Sequence, residues 1–269
     1  MITSRDNQLI KRARAVRDGK LREQIFIEGL RLCAEAAQAL RVDDITDVIY
    51  SERILEDVRG AELLDSLQQH SRNITLASEA VFASLSDTKT PQGIVLLAVR
   101  PKTSLEKLLE KDTDAPLLLV LHKINNPSNA GAILRTAEAA GVTGVILTQG
   151  SADIFSPKAL RGAMGSTFRL KIWTGASFVE AIDFCQTRRI RTFSAELHGE
   201  HAHTEIDWTR PCALVVGSEA SGLKPSEINA TDESLRIPMR PPVESLNVAV
   251  ATGVVLYEAA RQRGVSSEQ

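Results

Sequence analysis

The sequence predicts an α/β protein of two domains: a smaller mixed one over residues 1–99 and a larger parallel-sheet one over 115–269, joined by a linker over 100–114. Three observations carry this. At 269 residues the chain exceeds the usual size of one domain. Short β-rich apolar runs alternate with helical patterns, and in the second half those runs are continuously apolar, as strands covered on both faces are. Between the halves, residues 100–114 open with Pro-Lys-Thr and end in Lys-Asp-Thr-Asp, a charged interruption of the pattern.

Taken in order, Leu9, Ala13 and Val16 recur at helical spacing while Lys11, Arg14 and Arg17 step along a different face, a basic amphipathic helix over 7–18. From Arg5 to Arg31 there are eight basic residues against four acidic, although the whole chain has a net charge of −2. Any nucleic-acid footprint must therefore be local. Strands are expected at 24–27, 45–50, 73–76 and 93–99, with helices at 30–40 and 61–70. Beyond the linker, strands are expected at 117–121, 145–147, 170–173, 190–194 and 213–216, mostly separated by helices. The last helix, 245–261, sets Leu246, Ala249, Val250, Gly253, Leu256, Tyr257 and Ala260 on one broad apolar face.

Composition excludes several classes. With 43% hydrophobic and 25% charged residues, no apolar run of membrane length and no basic-then-apolar leader, a soluble cytoplasmic protein with no membrane partner is expected. Cys33, Cys185 and Cys212 lie far apart with no CxxC pair, which argues for buried thiols rather than a zinc ribbon or a disulfide framework. His198, His201 and His203 cluster, but nothing places a fourth ligand, and no metal is expected.

Three segments carry chemistry. After the run 117–121, Asn126 can cap and Pro127 can open a helix that presents Asn129 in its first turn, with Arg135 six positions on. Val216-Gly217-Ser218-Glu219-Ala220-Ser221-Gly222-Leu223 is a glycine-bounded loop leaving a strand, the usual ligand position in an open α/β sheet. Gly217 and Gly222 have P-loop separation but are followed by Leu223, Lys224 and Pro225 rather than by Lys and a magnesium-binding Ser or Thr, and Ser218 lacks the flanking glycines of a nucleophile elbow. No GxGxxG fingerprint is present either. Finally Ile237-Pro238-Met239-Arg240-Pro241-Pro242 is a proline-stiffened loop that delivers Ser245 and Asn247 to the start of the last helix, where Ser245 also reads as a plain N-cap. Each segment alone reads equally well as capping or turn chemistry.

Together, in this order and spacing, the three segments resemble the signature of the SpoU-type (TrmH-like) RNA ribose 2′-O-methyltransferases of the SPOUT superfamily, from about Pro116 onward. Asn7, Lys11 and Phe26-Ile27-Glu28-Gly29 resemble, less sharply, that family's substrate-binding extension related to ribosomal RNA-binding proteins. The resemblance implies a deep trefoil knot in the parallel-sheet domain, against the general rule that chains are unknotted. It implies S-adenosylmethionine as methyl donor, cradled at Ser194, Gly217, Ile237 and Leu246, and a homodimer through the catalytic domain with the active site near the interface. It implies Asn129, Arg135, Glu219, Ser245 and Asn247 as the catalytic set and Arg161 beside the RNA; Lys11, Arg14 and Arg17 on the basic face of the first helix are expected to contact RNA phosphates.

A ribose hydroxyl is a poor nucleophile at neutral pH, so the site has to position it and polarise or remove its proton. Arg135 matches the proposed base of the family, yet a guanidinium is a permanent donor, better suited to gripping a phosphate and a developing alkoxide. Glu219 is expected to order its partners rather than to act as base. Ribosomal RNA is favoured over transfer RNA; a non-catalytic RNA-binding assembly factor and a base methyltransferase are the rival readings.

Overall fold

The computed structural model describes residues 1–70, 73–88, 90–109 and 114–264, so 110–113 of the expected linker lie outside the described residues. The chain forms two compact units: Met1–Pro101 with Ile154–Arg169, and Lys102–Asp153 with Leu170–Gln269. The first is thus discontinuous in sequence. The linear division at 99 and 115 did not foresee that a segment from the middle of the second half contacts the first.

In the N-terminal unit, strands β1 (Gln24–Glu28), β2 (Ile45–Tyr50), β3 (Ile74–Leu76) and β4 (Ile94–Val99) form one sheet in the order β1-β4-β2-β3, antiparallel except for the parallel pair β2/β3. Helices α1 (Gln8–Arg17) and α4 (Glu79–Leu85) bury Ile10, Ala13, Val16, Val81, Phe82 and Leu85 against Phe26, Ile49, Val95 and Leu97. Asn7 caps α1 by accepting from Leu9 N at 2.9 Å. The buried row of α1 is Ile10, Ala13 and Val16, with Leu9 only half-buried. Helix α2 (Leu30–Ala39) packs on β1, β4 and α3 (Val58–His70).

In the C-terminal unit α5 (Leu105–Leu109) lies inside the expected linker, where Leu108 is buried and would meet any side chain placed at Gly144. The charged surroundings of Leu105 and Leu108 hid this short helix from periodicity. Strands β5 (Leu117–Leu121) and β6 (Gly144–Thr148) flank α6 (Pro127–Ala139); α7 (Pro157–Ala163) and α8 (Ser166–Arg169) belong to the N-terminal unit; β7 (Ile172–Ala176), α9 (Phe178–Thr187), β8 (Arg191–Ala195), β9 (His201–Ala202), β10 (Cys212–Val216), α10 (Pro225–Ile228), β11 (Glu233–Arg236) and α11 (Val248–Gln262) complete the chain.

The sheet is seven-stranded and wholly parallel, in the order β7-β6-β5-β10-β8-β11-β9. Strands β5, β6 and β10 are buried along their whole length, which is why their residues are uninterruptedly apolar. Alternate residues of β5 face opposite sides: Leu118 and Val120 pack toward α9 with Cys185, Ala181 and Ile182. The neighbours β5 and β10 send their chains in opposite directions along the sheet, β5 to β6 and β10 toward β11. That makes a switch point, and a crevice opens at the carboxyl ends of the strands there.

Two short strands went unseen in the sequence. In β11 only Leu235 is buried, so Glu-Ser-Leu-Arg carries no strand pattern, and β9 is two residues long. The three cysteines are free and buried, and burial pushes Cys185 up to about 12 and Cys212 to about 11. Among the described residues no helix is long and apolar enough to cross a membrane.

Candidate active site

Four loops leaving β5, β8, β10 and β11 meet at the crevice. After β5, Asn126 caps α6 by accepting from Ser128 N at 2.9 Å, and Pro127 occupies the first helical position. This local chemistry places Asn129 in the opening turn. After β10 the chain doubles back on itself: a Cβ on Gly217 would lie 2.4 Å from the Gly222 carbonyl carbon, and Gly222 sits at φ +60°. Glycine is required at both places, by close approach at one and by left-handed backbone at the other. Gly222 N donates to Ser218 O at 3.0 Å, and the turn so closed projects Glu219 toward α6.

Glu219 accepts from Asn129 Nδ2 at 3.1 Å, Asn125 N at 3.3 Å and Asn126 N at 3.4 Å. Burial pushes its carboxyl up, but these bonds and one from its own N–H outweigh it and hold the group below the usual carboxylate range. Asn247 completes the cluster. Its Oδ1 caps α11 by accepting from Ala249 N at 2.9 Å and Val250 N at 3.4 Å, which turns Nδ2 toward Asn129 Oδ1 at 3.4 Å. The Asn129 amide is therefore fixed on both sides, as donor to Glu219 and acceptor from Asn247. The helix begins one residue after Asn247, so Asn247 is the cap and Ser245 is not; Ser245 stands in the loop before it, exposed.

Two adjoining clefts open here. One, largely apolar, is lined by Ala195, Glu196, Leu197, Gly217, Ile237 and Met239 among others; the second is lined by Asn125, Asn126, Asn129, Ala220 and Asn247. Glu219, Ser245, Leu246 and Val248 line both. Gly217, Ile237 and Leu246 thus stand together on the first cleft. Ser194 does not join them. It is fully buried in β8, its hydroxyl accepting from Thr231 Oγ1 at 3.1 Å and donating to Glu233 O at 3.4 Å, so it ties β8 to β11. The next three residues, Ala195, Glu196 and Leu197, form the wall instead.

Arg135 lines neither cleft; it is exposed on α6. Six residues turn a helix by about 240° beyond a full revolution, so Arg135 cannot share Asn129's face. Arg161, in α7, is paired with Asp87 at 2.8 Å within the N-terminal unit, while its Nη1 is buried without a partner. Of the basic residues of α1, Arg14 donates to Ser84 Oγ at 2.6 Å and Arg17 to Leu85 O at 2.9 Å, closing the carboxyl end of α4. Lys11 stays half-exposed, paired with Asp6 at 3.1 Å.

Sequence reasoning missed Glu196 and His122. The buried His122 directly follows β5 and bonds Thr148 Oγ1 at 3.0 Å and Glu227 Oε1 at 3.1 Å, its ring edge-on to Phe178 at 4.8 Å. Burial, with Lys123 and Lys224 nearby, lowers its pKa against the pull of Glu227. Glu227 also accepts from Lys224 N at 2.8 Å, so His122 anchors the chain just after the Gly217–Gly222 turn. Both residues follow strand ends, the one signal that could have marked them. His201 approaches Glu233 at 3.7 Å, and among the described residues no group of His, Cys, Asp and Glu is placed to hold a metal.

Comparison with known proteins places the chain in a family. The profile of the SpoU rRNA Methylase family matches residues 116–257, and that of the MRM3-like substrate binding domain matches residues 7–96. The chain is 34% identical to an uncharacterized tRNA/rRNA methyltransferase of Synechocystis over 99% of its own length and 95% of that protein. It is 32% identical to the 23S rRNA (guanosine(2553)-2′-O)-methyltransferase RlmP of Bacillus subtilis, covering 68% of the chain and 70% of RlmP. The SpoU methyltransferase AviRb of Streptomyces viridochromogenes, solved in complex with AdoMet, superposes with a TM-score of 0.85 at 25% identity over 96% of this chain and 98% of AviRb.

Proposed function

The chain belongs to the SpoU rRNA methylase family, and we propose that it transfers the methyl group of S-adenosylmethionine to a ribose 2′-hydroxyl of ribosomal RNA. The observation that carries this is the Asn129–Glu219–Asn247 cluster at the junction of an apolar cleft and a polar one. The apolar cleft suits the donor. Its lining includes the carboxylates Glu196, Glu219 and Glu244 and no lysine or arginine, the balance that a sulfonium cation favours. Gly217, Ile237 and Leu246 are the residues that hold it, with Ala195 and Leu197 in place of Ser194. When bound, the donor supplies an electrophilic methyl on a good leaving group.

The protein's own part is positioning. The asparagine cluster presents Asn129, and beside it Ser245, to a hydroxyl entering from the polar cleft, and the fixed amide dipoles need no reorganisation as charge develops on that oxygen. Glu219 is held ionised by three donors, which suits a residue that orders its neighbours and not one that takes a proton. Arg135 grips the acceptor phosphate and steadies the alkoxide, while the hydroxyl proton passes to a phosphate or water, with S-adenosylhomocysteine as the other product. Its place outside both clefts of one chain agrees with a homodimer: α6 packs on α11, on which Val250, Val254 and Tyr257 are exposed, as is Leu246 in the loop before it. A contiguous exposed apolar stripe of this kind marks an interface. The trefoil knot belongs to the same reading, as do a cytoplasmic location and an RNA footprint that includes Lys11 and Arg161.

The test is incubation with methyl-labelled S-adenosylmethionine and unmodified ribosomal and transfer RNA, then alkaline digestion, which does not cut beside a 2′-O-methyl ribose. Label in an alkali-resistant dinucleotide from ribosomal RNA is expected. Label confined to mononucleotides would mean base methylation, and label from transfer RNA alone would move the substrate.

A further inference from the structure

We infer that Glu196 accepts the ribose hydroxyls of the methyl donor, an assignment that rests on the donor-binding reading above. Glu196 directly follows β8, and its N–H donates to Leu235 O at 2.8 Å, so its backbone is locked to β11 while the residue lines the apolar cleft. One of its carboxylate oxygens, Oε1, is buried and has no hydrogen-bond partner. A buried acceptor left without a donor costs about 1–3 kcal/mol, so such an atom on a residue of the cleft wall marks a place where a ligand brings the hydrogen. Glu219 provides the contrast: it lines the same cleft with three donors already in place. Burial with nothing to offset it raises the Glu196 carboxyl, whereas Glu219 is lowered.

Position along the cleft selects which hydrogens Glu196 meets. The transferred methyl has to reach the polar cleft, hence the junction formed by Glu219, Ser245, Leu246 and Val248. Glu196 lines the apolar cleft alone, on the nucleoside side of that junction. Leu235, Ile237 and Met239 there suit a planar base, and the part of a nucleoside still needing strong acceptors is its vicinal diol. Two adjacent O–H groups match the two oxygens of one carboxylate, the pairing by which acidic residues hold nucleotide riboses in other open α/β sheets.

Calorimetric titration of the full chain with S-adenosylhomocysteine and with its 2′-deoxy counterpart tests this, on the wild type, Glu196→Gln and Glu196→Ala. The wild type should bind the deoxy ligand about tenfold more weakly. Both variants should bind S-adenosylhomocysteine about tenfold more weakly than the wild type and no longer distinguish the two ligands. Equal weakening of both ligands with the discrimination kept would overturn the assignment, because the hydroxyl then meets another group. A wild type that binds both equally overturns it too. A wild type that binds neither would overturn the donor-binding reading itself. The isosteric Glu196→Gln carries the comparison should Glu196→Ala fail to fold.

Discussion

The two units use polar side chains in opposite ways. In the N-terminal unit they turn inward and hold loops to the sheet: buried Glu28 accepts from Ser86 Oγ, from Asp87 N at 2.8 Å and from Thr88 Oγ1 at 2.8 Å, and Arg12 pairs with buried Asp47 at 2.5 Å. In the C-terminal unit the polar groups hold one another at the strand ends and leave a face toward a cleft, as Asn129 does between Glu219 and Asn247. A charge-rich stretch is therefore a poor guide to where chemistry happens. The convergence of strand ends is a better one, because there backbone and loop polar groups must meet something other than a neighbouring strand.

The sharpest way to break the contrast is at Arg135, the one residue of the proposed catalytic set that lines neither cleft. Arg135→Ala should lower methyl transfer on the order of 10²- to 10³-fold. Its calorimetric affinity for S-adenosylhomocysteine should not change; full transfer would remove Arg135 from the mechanism. Next, Glu28→Ala strips three donors of their acceptor, and urea unfolding should show a loss of about 2–3 kcal/mol. A loss under about 0.5 kcal/mol would mean that water serves the loop equally well.

Asn247→Ala removes the cap of α11 and one side of the Asn129 clamp. We expect about 1 kcal/mol of lost stability and a slower transfer at unchanged donor affinity. An unchanged unfolding midpoint would show that another group caps the helix. On α1, Lys11→Ala should reduce the salt slope of RNA binding by about one, while Arg17→Ala should leave that slope alone and cost about 1 kcal/mol of stability. The reverse pattern would make Arg17 the phosphate contact.

The smallest effect separates the two cleft carboxylates by pH. Glu219 is lowered, so the stabilisation from its hydrogen bonds is present above the ordinary carboxylate range and is lost as pH falls through its lowered value. Glu196 is raised, so on acidification it loses its charge first. Donor affinity in the wild type should therefore fall off before the Asn129–Glu219 contact is lost, and Glu196→Gln should lack that first phase. Identical pH profiles for the two proteins in calorimetry would count against Glu196.

Much of this was legible in the residues. Continuously apolar runs marked β5, β6 and β10 because strands buried on both faces admit nothing else, and Asn126-Pro127 marked the start of α6 because capping is local. Gly217 and Gly222 marked a turn for the same reason. What depended on distant partners was not legible. Val250 and Tyr257 look like core on a helical wheel, yet α11 buries Thr252, Val255, Leu256 and Ala259 instead, since the neighbouring α6 determines which face is covered. Ser194 and Glu196 are two residues apart, and only the pairing of β8 with β11 sets one hydroxyl between strands and the other residue at the cleft wall. Sequence alone determined the longer elements and the motif that names the family, because propensity, caps and turns act over a few residues. Which charges hold the fold together and which face a ligand was decided by tertiary structure, because hydrogen-bond partners such as Arg17 with Leu85 or Glu219 with Asn129 lie tens of residues apart.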